Sequence, residues 1–332
     1  MRNNMFPTSS VQFEERENPF KNLGTDTNGL MTAEQCMVEA GLDWRVELRP
    51  TFAQLPNGEF VEVKHNKIPM RTDENIPFNA VGNRYVPFQN IQCFDFLDLM
   101  IDDFGATYDT AGAFDNGAIV YMMLKLPKEI KVGDDEVVPY LTMVNSHNGS
   151  TSLKAFTTPI RITCSNTMRL AIKESKSSFA FKHTANATGK VAQGREALKL
   201  SFEYYDEFEK ELQKFIETPA TVDNLNEVLD NVLIVPQERT DIDHNILNEG
   251  AITKVKLNRN KIIENFENPD SNSVEKNAWG IVNAINDWEL WSAEIRGENS
   301  RFERQAKSVL NGRLHPVTDK AFQYLKSELV KV

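Results

Sequence analysis

The chain has 332 residues, 40% hydrophobic and 26% charged, which is typical of a globular protein with room for one large or two modest domains. Its 48 Asp and Glu outnumber its 37 Lys and Arg, and the resulting net charge of −11 excludes a protein that coats duplex DNA with its whole surface. No apolar stretch approaches the length of about eighteen residues that a membrane span needs, and residues 1–20 lack the apolar run of a signal peptide. The three cysteines, Cys36, Cys93 and Cys164, are far apart and form no CxxC motif, so we expect a cytoplasmic protein without disulfides or a zinc site.

The first third of the chain predicts a polar arm, a short helix and two strands. Residues 1–30 are polar and read as an N-terminal arm. Thr32 followed by Gln35 forms a capping box, which predicts a helix that ends at Gly41. Two segments with alternating polarity, WRVELRP and GEFVEVKHN, predict strands.

The next part of the chain predicts a helix, a hairpin and two further strands. The string CFDFLDLMIDDFG indicates an amphipathic helix that ends at Gly105 and buries one apolar face, formed by Phe94, Leu97, Ile101 and Phe104. Two strands flank Asn116-Gly117, a strong hairpin signal, and the second of them, IVYMML, is apolar on both faces, as in a covered central strand. VVPYLTMVNSH and PIRITCS predict two more strands, and NTMRLAIKES predicts a helix with Ser165 or Asn166 as its cap.

These elements together predict an α+β fold with a mostly antiparallel sheet, a β-hairpin and flanking helices, followed by a helical C-terminal region. We expect an N-terminal arm over 1–30, a core domain over 31–190 and the helical region over 191–332. The Trp-rich string AWGIVNAINDWELW in the helical region indicates a core helix, or alternatively an oligomer contact.

A cationic segment interrupts this acidic chain. Residues 151–200 contain nine Lys or Arg against Glu174 and Glu196, a net charge of +7, which indicates a local anion site. The candidate phosphate contacts are Lys154, Arg161, Arg169, Lys173, Lys176 and Lys182. Three of them, at 169, 173 and 176, have the spacing of one helical stripe. Such a stripe can also be an ordinary solvated helix face, and Arg161 can be an exposed charge at a strand edge.

Aromatic residues are interleaved with these cations. Phe156, Phe179 and Phe181 could stack on bases, as in proteins that bind single strands. Core packing is the interpretation that we favour for each of them, because Phe is abundant throughout the chain.

Polar residues follow the strand that ends near Val144. The string NSHNGS contributes Asn145, His147 and Asn148 as candidate contacts to a phosphate or a base. The favoured alternative is a plain turn in which Asn and Ser bind backbone groups and Gly149 takes a positive φ. An enzyme that uses His147 as a general base with the two Asn has the least support, because no complete catalytic set can be assembled.

Several strings resemble, in order, the phage/plasmid-like protein family, also called domain of unknown function 932. They are AGLDWRVELRP, NRYVPFQNIQCFDFLD, AGAFDNGAIVYMMLKLP, VNSHNGSTSLKAFTTPIRITCSNTMRLAI and NAWGIVNAINDWELW, which together span about 30–315. NPFKNLGT resembles the Pro-Trp-His-x-Leu-Gly opening of that family, with Phe20 in place of the Trp and Lys21 in place of the His. The resemblance implies a protein carried by phages, prophages or plasmids. The order of elements is also similar, more distantly, to the core of single-strand annealing recombinases.

The leading hypothesis is a phage- or plasmid-type DNA-metabolism protein that binds single-stranded DNA and promotes strand annealing. We expect a homo-oligomer, because an annealing role predicts rings or filaments. We expect no cofactor and no metal, and the chain has no Walker loop and no GxGxxG motif that would support ATP-driven strand exchange. The alternative is a non-enzymatic interaction protein, such as a host-defence antagonist or phage accessory factor, whose acidic surface binds a host protein.

Overall fold

The computed structural model describes residues 23–30, 32–127, 130–132, 135–161, 179–181, 209–233, 249–269, 276–292 and 316–330. The strands within these ranges are β1 (Thr25–Asp26), β2 (Val46–Gln54), β3 (Phe60–Arg71), β4 (Ile76–Pro77), β5 (Val81–Gly82), β6 (Thr107–Phe114), β7 (Ile119–Lys125), β8 (Ile130–Val132), β9 (Asp135–Ser146), β10 (Leu153–Arg161) and β11 (Phe179–Phe181). The helices are α1 (Ala33–Glu39), α2 (Asn90–Phe104), α3 (209–217), α4 (Val222–Val232), α5 (Glu249–Glu267), α6 (Ala278–Asp287) and α7 (Pro316–Glu328).

Two antiparallel sheets organise the described strands. The larger sheet has the order β1-β6-β7-β9-β10-β11, with β8 also paired to β9. The smaller sheet has the order β2-β3-β4, with β5 also paired to β3. With helices flanking the strands and following them, the predicted α+β fold is confirmed. The described residues after 209 are almost entirely helical, whereas the boundaries of the three predicted units stay a prediction.

Local capping signals set the limits of the first two helices. The Thr32 hydroxyl accepts a hydrogen bond from the Gln35 N–H (3.2 Å), and the Gln35 side chain accepts one from the Thr32 N–H (3.3 Å). At the end of α2, Gly105 adopts a left-handed conformation with φ of +68°. The two helices are also tied together, because a carboxylate oxygen of Asp98 in α2 accepts the N–H of Ala33 in α1 (2.7 Å). The predicted caps and stops of these two helices are therefore confirmed. The predicted helix that begins after Ser165 or Asn166 lies outside the described residues.

Strand β7 lies in the middle of the larger sheet and is buried on both faces. Its residues Val120, Met122 and Leu124 belong to the main core, which also contains apolar side chains of α1 and α2. Tyr121 and Met123 belong to a second cluster on the opposite face. The prediction that IVYMML forms a covered central strand is confirmed.

The start of β10 differs from the sequence prediction. The string PIRITCS placed this strand at 159–165, whereas the strand begins at Leu153 and its description ends at Arg161. Its first residues pair with the end of β9, from Lys154 opposite Val144 onward. The prediction was late because the mixed string LKAFTT has no clean alternation, and its pairing partner decides its conformation.

The C-terminal helices contain their own aromatic core. The rings of Phe215 and Phe322 stack with centroids 4.5 Å apart, and Trp279 and Trp291 are buried. The interpretation of the Trp-rich string as a core helix is confirmed for these side chains, while an oligomer contact there stays a prediction. In the part of the chain that the structure describes, no helix is both long and apolar enough to cross a membrane.

A half-buried carboxylate joins two of these helices. α6 continues into a π-helical turn, Trp288–Ser292, which contains Glu289. The Glu289 carboxylate accepts the N–H groups of Val317 (3.0 Å) and Thr318 (2.8 Å) at the start of α7. Burial raises the pKa of Glu289, although these hydrogen bonds favour the ionised form. The carboxylate acts here as a helix cap, which explains its presence without a catalytic role.

Candidate nucleic-acid interface

Among the cations of the predicted track, Lys154 is the one with a side chain that the structure describes. It is half-buried near the beginning of β10, opposite Val144 of β9 on one side and Ala180 of β11 on the other. The antiparallel pairing places it close to the turn that joins β9 to β10. Any anion that contacts Lys154 therefore lies at this end of the larger sheet.

Arg161 lies at the other end of the same strand. Its backbone pairs with Val137 of β9 and is the last described position of β10. Seven strand positions separate it from Lys154, which corresponds to about 23 Å. The register between them is unbroken, so an odd separation places the two positions on opposite faces of the strand. The two cations do not form one compact anion site, and a ligand that touched both would have to pass round the sheet.

The remaining cations of the predicted track, Arg169, Lys173, Lys176 and Lys182, lie outside the described residues. The backbone of β11, which contains Phe179 and Phe181, pairs with the start of β10. Phe156 is buried in the second cluster of the larger sheet. Core packing is thus confirmed for Phe156, which removes it from the candidates for base stacking.

Asn145 and His147 are fully buried, and this corrects their assignment as surface contacts. The Asn145 amide donates to the backbone oxygen of Phe88 (3.2 Å), and the backbone N–H of His147 donates to the oxygen of Ala118 (2.8 Å). A phosphate or base at the surface cannot reach either side chain in this conformation. Their polar groups serve the fold, because buried polar groups need hydrogen-bond partners inside the protein.

The His147 ring belongs to the core where β9 meets the start of α2. It lies edge-on to Trp44, with centroids 5.2 Å apart, and roughly parallel to Phe78 at 6.1 Å. The Asn90 amide nitrogen donates to the backbone oxygen of Leu42 (2.8 Å), which turns its oxygen toward His147 Nε2 (2.8 Å). The Nε2 atom must therefore be the donor in this pair. A general base needs access to a substrate proton, and this buried ring offers none.

The remainder of the NSHNGS string forms a turn. The Ser146 hydroxyl donates to the backbone oxygen of Thr151 (2.7 Å), and the Asn148 side chain accepts the N–H of Ser150 (3.0 Å). Gly149 has a φ of +72°. These are the contacts of the plain-turn interpretation. Asn148 is half-buried and is the candidate of this string that remains within reach of a ligand.

A second polar cluster, which the sequence did not indicate, lies at the base of the smaller sheet. The guanidinium of Arg71 stacks over Trp44, 4.7 Å from the ring centroid, and binds both carboxylate oxygens of Asp73 (2.8 Å each). This hydrogen-bonded pair raises the pKa of Arg71 and lowers that of Asp73. A cavity of about 520 Å³ adjoins Arg71 and Asn116. An incoming anion would have to compete with Asp73 for the guanidinium, so the cluster is a poor phosphate site. Its role is to hold the hairpin turn in place.

Neither metal binding nor thiol chemistry has support in the described ranges. No three His, Cys, Asp or Glu side chains gather there as a metal site would require. Cys36 and Cys93 are buried, and burial raises the pKa of the Cys36 thiol to about 11. Such a thiol stays protonated at neutral pH and is a poor nucleophile.

Comparison with known proteins gives one match. A family model described as Domain of unknown function (DUF932) matches residues 77–310. The match begins later than the resemblance over 30–315, so the string AGLDWRVELRP and the NPFKNLGT opening lie outside it. No curated protein and no solved structure matches the chain.

Proposed function

This chain belongs to the DUF932 family, and we propose that it binds single-stranded DNA and supports strand annealing in the recombination of phage or plasmid DNA. The observation that carries the proposal is the charge of residues 151–200, +7 within a chain of −11. A concentrated positive segment attracts a polyanion to one place, and the acidic remainder of the protein repels it from the rest of the surface.

The pairing of β10 supports a track rather than a pocket. Lys154 lies near the turn that contains Asn148, and Arg161 lies about 23 Å away at the other end of the strand. Positions 154 and 161 lie on opposite faces of the strand, because seven residues of unbroken register separate them. A flexible single strand is long enough to pass round the sheet from one position to the other, whereas a small anion would touch one cation at a time. The cations at 169, 173, 176 and 182 would extend the track.

The proposed mechanism involves no covalent step. The cations neutralise phosphates and hold the strand extended, and the bases stay available for pairing with a complementary strand. The burial of His147 agrees with this mechanism, because a buried ring cannot serve as the general base of an enzyme.

Replacing Arg161 and Arg169 together by Ala should weaken the binding of a single-stranded oligonucleotide. We expect the loss to be similar for oligonucleotides of different sequence, because phosphates carry no sequence information. The dependence of log K on log salt should also become shallower by about 1.4, the value for two lost phosphate contacts on a single strand. Fluorescence anisotropy with labelled oligonucleotides measures both quantities.

The matched control is the double change of Lys254 and Lys256 to Ala, two exposed cations of α5 outside the basic segment. This control should leave affinity and salt dependence unchanged. Equal losses in both double variants would mean that overall charge attracts the oligonucleotide, and an unchanged R161A/R169A variant would remove both arginines from the track.

The alternative function, an interaction protein without enzymatic activity, has one supporting observation. Acidic residues gather where α1 meets α2, and partial burial together with Asp98 and Glu34 raises the pKa of Asp95. Such a surface suits a basic host protein. Pull-down from host lysate with and without nuclease separates the two functions, because a host protein retained after nuclease treatment supports the alternative.

A further inference from the structure

The hairpin of β2 and β3, called here the β2–β3 ribbon, has a tip that the other described residues do not cover. Every residue from 52 to 62 is exposed. The strands are joined by a tight turn in which the N–H of Leu55 donates to the backbone oxygen of Glu59 (2.7 Å) and Gly58 has a φ of +88°. A two-stranded hairpin without a covered face is only marginally stable in water, so a partner that covered this tip would stabilise it.

The exposed tip is apolar on both faces. Phe52 pairs with Glu62 and Gln54 pairs with Phe60, which places the two phenylalanines diagonally on one face. Phe52 is 54% exposed and Phe60 is 68% exposed. Val61, opposite Ala53 on the other face, is 48% exposed. Concentrated exposed apolar surface of this kind marks an interaction site.

The charges of the ribbon separate along its length. The ribbon tip, residues 51–62, contains Glu59 and Glu62 and no Lys or Arg. The ribbon base, residues 46–50 and 63–71, contains one acid, Glu47, and four cations, which are Arg49, Lys64, Lys67 and Arg71. Arg49 forms an ion pair with Glu47, and Arg71 forms one with Asp73, so the positive charge that the base offers to a partner comes from the exposed Lys64 and Lys67. The two acids beside the phenylalanines repel a phosphate backbone, so the tip suits a protein surface better than a nucleic acid.

We propose that the β2–β3 ribbon binds the same ribbon of a second copy of this chain, in antiparallel orientation about a two-fold axis. In this arrangement the acidic tip of each copy lies on the basic base of the other, so each charged end meets its complement. Phe52 and Phe60 of both copies become buried between the ribbons. Within the described residues β2 pairs with β3 alone among the strands, and the Gln89 side chain binds the N–H and C=O of Val46 at the start of its outer edge. The rest of that edge adds backbone groups that a second ribbon can pair with.

The first test is the mass of the purified full chain, measured without DNA by light scattering and native mass spectrometry over a range of concentrations. The wild type should dimerise, and the change F52T/F60T should raise the dissociation constant of the dimer at least tenfold. Threonine is chosen because it keeps the strand preference of both positions. The control is Leu257→Gln, which removes an equally exposed apolar side chain from α5 and should leave the mass unchanged.

The second test uses charge reversal at exposed positions, which disturbs folding little. The variant E59K/E62K has a basic tip and base, and the variant K64E/K67E has an acidic tip and base, so each should fail to dimerise with itself. A mixture of the two should form a heterodimer, because each tip then meets an opposite charge. This rescue distinguishes ribbon-to-ribbon pairing from a contact with another part of the chain.

A monomeric wild type at all concentrations would overturn the proposal, as would a mixture of the charge variants that stays monomeric. If F52T/F60T loses oligonucleotide binding while its mass is unchanged, the ribbon is a nucleic-acid surface and the proposal is wrong. Because the mass is measured without DNA, a failure of DNA binding by the wild type leaves this test intact.

Discussion

Replacing His147 by Ala should lower the free energy of unfolding by about 4 kcal/mol. The ring is fully buried beside Trp44 and Phe78, so its removal leaves a cavity at the end of β9. The change also deprives the buried oxygen of Asn90 of its hydrogen bond to Nε2. Urea denaturation monitored by tryptophan fluorescence measures the loss.

The control for this change is His65→Ala, which removes an exposed histidine from β3 and should alter stability by no more than about 0.5 kcal/mol. A His147→Ala protein that unfolded like the wild type but no longer bound its ligand would contradict the structural role. That result would show that His147 has a role in ligand binding.

Replacing Gly117 by Ala should cost about 3 kcal/mol of stability, from two separate causes. Gly117 has a φ of +98° in the turn between β6 and β7, a conformation that strains any residue with a Cβ. An added Cβ would also lie 2.7 Å from Cζ2 of Trp44, which is held against Arg71 and cannot easily move away. Thermal or urea unfolding measures the sum of the two effects.

The change Gly58→Ala separates these causes. Gly58 also lies in a hairpin turn with positive φ, +88°, but no atom of the described part of the chain lies within 4 Å of its added Cβ. We therefore expect a loss of about 1 kcal/mol from backbone strain alone. Equal losses at Gly58 and Gly117 would show that the contact with Trp44 is unimportant.

Features that depend on a few neighbouring residues were predictable from the sequence. The capping box of Thr32 and Gln35, the left-handed stop at Gly105 and the hairpin turn at Asn116 all appear where the sequence placed them. Each of these signals is local, because the hydrogen bonds or φ values that define it involve residues within one turn. The double burial of β7 was also predictable, since its apolar residues occupy both strand faces.

The role of His147 could not be predicted in this way. Its partner Asn90 is 57 residues away in the chain, and the Trp44 ring that packs against it is farther still. A string of Asn, Ser and His does not indicate, from the sequence alone, whether its side chains face solvent or the core. The burial depends on the start of α2 and on Trp44, just before β2, reaching the end of β9, which is tertiary information.

The sequence contains a local signal for the hairpin of the β2–β3 ribbon. The residues LPNG between two alternating segments indicate a hairpin with Gly in its turn, so the β2–β3 pairing could have been predicted. The exposure of Phe52 and Phe60 could not, because alternation shows that a strand has two faces and not whether either face is covered. Charge separation along the ribbon can be read from the sequence once the hairpin is recognised, because the acids lie near the turn and the lysines lie farther from it.

The most direct test of the proposed function is the affinity of the full chain for a single-stranded oligonucleotide, measured from about 50 to about 200 mM salt. If four to six phosphates are neutralised by the basic segment, log K should fall against log salt with a slope of roughly −3 to −4. Undetectable binding at the lowest salt, or an affinity that does not change with salt, would contradict a phosphate track along β10 and the residues that follow it.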